Sequence, residues 1–498
     1  MSHESPLLTR LAATMHRRIA SPRETLAVLL SACASIAAHG YFRLPGMGEL
    51  DAARFGRIAF LWHVHGKIAF DDVGYQIRTS TLYLQMEKVA LDHGVAMHAL
   101  PNFVNWVSVV LGTACSVALY VLFRKLTTRP VAVAATLVHA LTPGFFLGNL
   151  YGMPTVPGMF FFVLGLIAFL TASRSEQRGP VLYAQVLFAW LCMTLAMTLK
   201  SDLALGGGAF LGVALIRPTQ RFRWACAASA VVVGATLGSL GYARLVVLPA
   251  AEAANSGEGL LSFLKNWNSA FATSFDALMT DSNNTTIVRC AGGLLFCVIV
   301  FSLIHGLVMG GVQRKQALLA LLWGLPPILA WGIRFGNSAR HNVPAYPPLI
   351  LFAMIFLFEI VKYDTRKGAL LVAGTMFASY FSNTSGEDTL RPQSNLLGLA
   401  EVMTRYTSRM HDRARALAER PAQKRVVIAG YADPYTEFEV LAATVHPSIE
   451  VGDTWVVTDG DRTTVIDYSA YDHRSNVRTM LKNYGRNGFE AMSLSYKL

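Results

Sequence analysis

Charge is scarce in this sequence. Only 15 % of its 498 residues are Asp, Glu, Lys or Arg, against 53 % hydrophobic, where soluble domains carry about 25 % charged residues. That balance excludes a disordered chain and an ordinary soluble enzyme, and points to a polytopic membrane protein. Cysteine is scarce too. Cys33, Cys115, Cys192, Cys226, Cys290 and Cys297 all fall in apolar stretches and none forms a CxxC pair. They read as small core hydrophobes, so neither a disulfide framework nor a zinc site is indicated. GxxxxGK[ST], GxSxG and HExxH are all missing, as are internal repeats and low-complexity linkers.

What is present is a series of long apolar runs. A spanning helix needs about 17–25 mostly apolar residues, because lipid offers its backbone no hydrogen bonds. Eleven segments meet or approach this: 25–42, 100–122, 131–149, 154–171, 182–199, 203–216, 225–248, 290–311, 317–335, 344–361 and 368–382. The sixth is short and holds Gly206, Gly207 and Gly208, read as a site of close helix packing rather than a phosphate cradle. The first is read as an uncleaved anchor, its polar lead being long for a signal peptide.

Lys and Arg in short loops set orientation. With the N-terminus in the cytoplasm, the N-terminal arm and inner loops hold 17 basic residues, and the short outer loops hold only Lys200, Arg334 and Arg340. The inner face also carries Glu4, Glu24, Glu176, Glu359 and Asp364, so its balance equals the +12 net charge of the whole protein. The basic character is therefore positive-inside sorting, and no basic patch remains as a nucleic-acid footprint. The expected fold is a polytopic α-helical membrane protein of about eleven transmembrane helices. Its membrane module spans 1–382, with long outer loops at 43–99 and 249–289. A small α+β extracytoplasmic domain occupies 383–498. Within it, Arg425–Tyr431 and Thr454–Thr458 read as strands, and Leu396–Glu419 and Glu437–Val445 as helices.

The candidate chemistry lies at the outer ends of the spans. Glu49 and Asp51, spaced i, i+2 just past the first span and followed by Arg54, can hold a cation or remove a proton from a hydroxyl. Phe55–Phe70 mixes aromatic and basic residues and suits a helix lying in the membrane interface. His63 and His65 read as structural within it, and Asp71-Asp72 as a solvated turn. Lys200 and Asp202 join the fifth and sixth spans at a tight turn. They form a mutual ion pair or offer a cation to a phosphate, both readings standing equal. Arg334, Arg340 and His341 cluster before Pro344, a combination suited to phosphate contact at a helix N-terminus. The sequons at Asn283, Asn284 and Asn383 matter only in a glycosylating host.

In the order of these parts the chain resembles the GT-C superfamily of polyprenyl-phosphate-dependent glycosyltransferases, which includes protein O-mannosyltransferases, lipid A aminoarabinose transferases and the oligosaccharyltransferase catalytic subunit. An acidic motif (Glu49-Leu50-Asp51) follows the first span. An amphipathic stretch lies in a long first outer loop. Arg340-His341 precedes a proline-led span at Pro344, and an outer C-terminal domain closes the chain. One departure is the absence of a second acidic motif after the third span, where Asn149-Leu150-Tyr151-Gly152-Met153 stands instead.

The resemblance implies a single inverting displacement on the outer face of the inner membrane. Asp51 would be the base with Glu49 in support. Lys200, Arg340, His341 and Arg334 would hold the donor phosphate, and Arg54, Tyr151 and Asp202 would contact substrate. No cofactor is required, although a divalent cation could sit at Glu49 and Asp51. The partners are a polyprenyl-phosphate sugar donor, a glycan, glycolipid or protein acceptor, and the bilayer. An outer-face polysaccharide polymerase or ligase would use the same lipid-phosphate logic. A transporter would want midplane charges and inverted repeats, neither of which is seen. A non-catalytic scaffold is the third alternative.

Overall fold

The computed structural model describes residues 22–41, 50–66, 80–141, 153–174, 179–216, 220–247, 293–309, 311–335, 343–381, 425–430, 438, 441–442, 448–450, 454–467 and 490–494. The described helices are α1 (Pro22–Tyr41), α2 (Leu50–His65), α3 (Thr81–Asp92), α4 (Leu100–Leu126), α5 (Arg129–Ala140), α6 (Thr155–Arg174), α7 (Pro180–Leu199), α8 (Gly208–Ile216), α9 (Arg221–Val247), α10 (Gly293–Met309), α11 (Gly311–Phe335), α12 (Tyr346–Ile360) and α13 (Thr365–Phe381). A helix overlies each of the eleven apolar segments. Among the described residues, five stretches are long and apolar enough to cross a membrane: Met97–Leu126, Thr155–Arg174, Pro180–Leu199, Arg221–Ala243 and Val343–Ile360. The chain is an integral membrane protein.

The apolar faces build one large core. It runs from Leu119 and Phe123 of α4 through Phe162 and Phe169 of α6 to Trp323 of α11 and Phe352 of α12. Edge-on aromatic packing links Phe169 to Phe210 and Trp224, geometry that the ring quadrupoles favour. Leu237, Leu187 and Val308 remain largely exposed, as the solvent for these faces is lipid. The cysteine reading holds for Cys115 and Cys192, which are buried. It is corrected at Cys33 and Cys226, which lie on exposed helix faces.

The sixth segment is not one continuous α-helix. Ser201–Gly207 is a 3-10 helix, and α8 begins at Gly208. Gly208 sits so close to α11 that a Cβ there would stand 2.0 Å from the carbonyl oxygen of Leu322. Small residues let helix backbones approach this closely, so the glycine triplet does serve packing.

The two ends of the bundle differ in kind. At one end charged side chains tie helix termini together. Glu24 of α1 accepts from Tyr120 and from Arg124 Nε at 3.1 Å. Arg174 donates to the Lys125 carbonyl, and Gln313 of α11 donates to Glu359 of α12. These are residues that the charge alternation groups on the inner face. At the opposite end a second buried cluster joins α2 and α3 to Leu100, Val104, Met153 and Leu199, with Phe438, Leu441 and Val457 from the C-terminal part.

That C-terminal part holds one five-stranded sheet of order β2-β3-β4-β1-β5, with β1 Arg425–Gly430, β2 Ser448–Glu450, β3 Thr454–Asp459, β4 Arg462–Asp467 and β5 Glu490–Leu494. β1 runs parallel to β4 and β5, while β2-β3-β4 is antiparallel. Two of these strands were expected. Residues 438, 441 and 442 are helical, within the expected Glu437–Val445. The expected helix Leu396–Glu419, the loop 249–289 and the three sequons lie outside the described residues.

Candidate functional site

α2 begins at Leu50, so Asp51 falls in its first turn. The chain turns helical here because Ala52, Ala53, Phe55, Ile58, Ala59, Leu61 and Trp62 are all buried. A helix thus stands over much of the expected 55–70 stretch, of which residues 67–70 lie outside the described residues. The helix starts five residues earlier than expected, and its apolar residues face protein. Its main partner is α3, against which Phe55 packs edge-on to Tyr83 at 5.7 Å between ring centroids.

A polar clasp closes the pair. His63 Nδ1 and Asp92 Oδ1 are 2.7 Å apart, Lys88 Nζ donates to Asp92 Oδ2 at 2.5 Å, and the same ammonium lies 5.7 Å from the Trp62 ring centroid. The hydrogen bonds from His63 and Lys88 hold the Asp92 carboxyl below the usual carboxylate range. His63 is therefore structural.

Lys200 caps the C-terminus of α7, its N–H donating to the Ala196 carbonyl at 2.8 Å. Its ammonium lies 3.1 Å from Asp202 Oδ2, and the two side chains are only 9 % and 14 % exposed. The distance is that of an ion pair, yet Oδ2 receives no properly aligned hydrogen bond. We read it as a Coulombic contact. Gly158, in the first turn of α6, leaves room for this turn: a Cβ there would stand 3.6 Å from that of Lys200 and 2.5 Å from Leu203 Cδ1.

Glycine contacts also fix the level of Lys200 along the bundle. Gly206, Gly208 and Gly212 face Trp323, Leu322 and Leu319 in turn, so the chain here runs antiparallel to α11. At about 2.0 Å per residue, Lys200 stands about 12 Å beyond Gly206. At about 1.5 Å per residue, Arg334 stands about 16 Å beyond Trp323 on the same side. Both thus lie at the end where Leu199 shares a buried cluster with Ala52 and Ala53, next to Asp51.

Arg54 is half-buried in α2 and already engaged. Glu49, Tyr151, Arg340, His341, Asp71 and Asp72 lie outside the described residues, and of the Asp51 and Arg334 side chains only the backbone position is described. Among the described residues no three His, Cys, Asp or Glu side chains come together as a metal site. Sequence reading missed Glu87, a fully buried carboxyl on α3, and the Asp92 clasp. An acid in a polar loop reads as solvated, and only the apolar neighbours Tyr83, Leu84, Ala90 and Leu91 hinted at a buried face.

Residues 99–241, which run from the entry of α4 through most of α9, match the model of the dolichyl-phosphate-mannose-protein mannosyltransferase family. Among solved structures, ArnT from Cupriavidus metallidurans in the apo state is similar with a TM-score of 0.55 at 14 % identity, covering 84 % of this chain and 85 % of that one. The same protein bound to undecaprenyl phosphate gives a TM-score of 0.51 at 13 % identity over 84 % and 85 %. The archaeal oligosaccharyltransferase AglB from Archaeoglobus fulgidus, in complex with an inhibitory peptide and a dolichol-phosphate, gives 0.51 at 13 % identity over 84 % of this chain. The chain spans 63 % of that oligosaccharyltransferase. No curated protein matches in sequence. These findings show the resemblance to the GT-C superfamily, in fold over most of the chain and in sequence over 99–241.

Proposed function

We propose that the chain is an integral membrane glycosyltransferase that transfers a sugar from a polyprenyl-phosphate donor to an acceptor on the outer face of the inner membrane, by inversion at the anomeric carbon. One observation carries the reading. The helix that carries Asp51 in its first turn and the Lys200 turn border the same buried cluster at one end of the bundle, through Ala52 and Leu199. A carboxylate and fixed cations at a lipid-accessible level are what such a transfer needs. The resemblance to a structure bound to undecaprenyl phosphate and to one holding a dolichol-phosphate supports a lipid donor.

In this mechanism Asp51 accepts the acceptor's hydroxyl proton as the acceptor oxygen attacks the anomeric carbon. The bond from that carbon to the phosphate oxygen breaks, and its electron pair leaves with the polyprenyl phosphate. Lys200, Arg340, His341 and Arg334 meet the charge that develops there, where preorganised cations lower the barrier most. Glu49 supports Asp51. Arg54, Tyr151 and Asp202 line the substrates. No step is routed through a metal; a divalent cation at Glu49 and Asp51 would show itself as activity lost to a chelator.

The N-terminus is placed in the cytoplasm, about eleven helices cross, and residues 383–498 form an extracytoplasmic domain. Glycan and lipid profiling of a deletion strain against one complemented with Asp51→Asn tests the function. An identical profile in deletion and parent strains would refute the reading. Acceptor identity separates a transferase from a polysaccharide polymerase or ligase.

A further inference from the structure

Glu87 and Asp92 lie five residues apart on α3 and have opposite surroundings. Asp92 is exposed and held by His63 and Lys88. Glu87 is fully buried, and among the described residues neither carboxyl oxygen has a hydrogen-bond partner. Lys88, its neighbour in sequence, points away toward Asp92 and the Trp62 ring. On the Glu87 face α3 presents Tyr83, Leu84 and Leu91 to the cluster that joins it to Leu100, Val104 and Leu199.

An ionised carboxylate without partners is among the costliest groups to bury, and such a group takes up a proton instead. Burial accordingly pushes the Glu87 carboxyl well above the usual carboxylate range, and burial followed by the nearby Glu87 pushes the Tyr83 hydroxyl up. Among the described residues, the groups packed around α3 offer no relief. From α2 come Arg54 and Arg57, both engaged, and His63, committed to Asp92. The entry of α4 brings His98, which is exposed. The adjoining end of α7 brings Lys200, which is paired with Asp202. The end of α9 brings Tyr242, which donates to Gln85.

We propose that Glu87 is a proton-held latch between the α2–α3 pair and the end of the bundle. As a neutral acid it lets the pair dock, and when its proton passes to water the pair is released. Because Asp51 lies in the first turn of α2, opening the latch withdraws that residue from the Lys200 level. This last link rests on the proposed function; the latch itself does not.

The sign follows from linkage. An acid whose docked form binds its proton more tightly stabilises docking at low pH, and that contribution falls as pH rises from the ordinary carboxyl range to the docked value. Over that interval the opening equilibrium grows about tenfold per pH unit.

Hydrogen–deuterium exchange of the full chain in nanodiscs tests it, on peptides from 50–65 and 81–92, corrected for intrinsic exchange, from about pH 5 to about pH 9. The wild type should show that rise, and Glu87→Gln, which cannot ionise, should show none. Glu87→Met is a second neutral variant should the amide fail to fold. A flat wild-type profile, or the same slope in wild type and a neutral variant, would overturn the latch. The readout needs no sugar transfer, so its failure is distinct from failure of the glycosyltransferase reading.

Discussion

The Lys200 ammonium lies 3.1 Å from the Asp202 carboxylate at a turn where both side chains are mostly buried. Such a pair has two jobs that a single substitution confuses. Lys200→Ala removes a phosphate contact and also strands a buried carboxylate, which costs about 3–5 kcal/mol when a buried pair is broken. Lys200→Ala with Asp202→Asn removes the stranded charge. We expect thermal stability to fall in the single variant and to recover largely in the double one. Weak use of the lipid donor should persist in both, by about 1.5–3 kcal/mol for one charged hydrogen bond. Transfer against donor concentration, normalised to folded protein, checks this. Normal donor use in the double variant would make Lys200 a structural cap.

Gly208 predicts a purely structural effect. Its absent Cβ would collide with the backbone oxygen of Leu322, which no rotamer change can relieve, whereas a Cβ at Gly241 would meet nothing within 4 Å. Gly208→Ala should destabilise the protein by about 1–3 kcal/mol, the cost of overpacking. Gly241→Ala should be neutral or gain about 0.5–1 kcal/mol from helix propensity. Thermal unfolding in one detergent checks the pair. Equal midpoints would mean that α8 and α11 are less tightly packed than they stand here.

What could be read from sequence was what depends on neighbours along the chain. A helix overlies every apolar run, and the glycine triplet marked the tight contact with α11, whereas α3, inside the polar loop 43–99, was not foreseen. The break into a 3-10 helix at Ser201–Gly207 was not legible, and the Leu322 backbone against which Gly208 packs is more than a hundred residues away. The same holds for Asp92, whose partner His63 is 29 positions distant. The β3–β4 hairpin was legible but overlooked. Asp459-Gly460 is a turn signal, and Gly460 takes a φ of +58° there. Glu87 inverted the usual rule, since a charged residue in a loop normally stays in water.

Sidedness is the next expectation. The Glu24, Arg124, Arg174 and Glu359 contacts gather at one end of the bundle. The cluster holding Leu199 and Val457 gathers at the other. With 17 basic residues assigned to the first end, reporters fused after Lys367 and after Leu498 should report cytoplasm and exterior respectively. If both report one side, the placement of Asp51 and Lys200 at the outer face is lost, and the proposed reaction with it.

Asp51 carries the most specific prediction, since its place in the first turn of α2 puts it beside Ala52 and Ala53 in the cluster shared with Leu199. Asparagine keeps its size and can still accept a hydrogen bond, but it cannot take a proton at neutral pH. If Asp51 is the base, Asp51→Asn should lose about 10²–10⁴-fold in transfer with little loss of folded protein, the range of general base catalysis. Glu49→Gln should do less harm, because its role is supporting. The assay is transfer from a polyprenyl-phosphate sugar in nanodiscs, normalised to monodisperse protein. A structural Asp51 would instead lower yield or melting temperature and leave turnover per folded molecule unchanged. If Asp51→Asn turns over normally while Asp71→Asn or Asp72→Asn does not, the base lies later in the same loop. If all three turn over normally, a carboxylate from this loop does not drive the reaction.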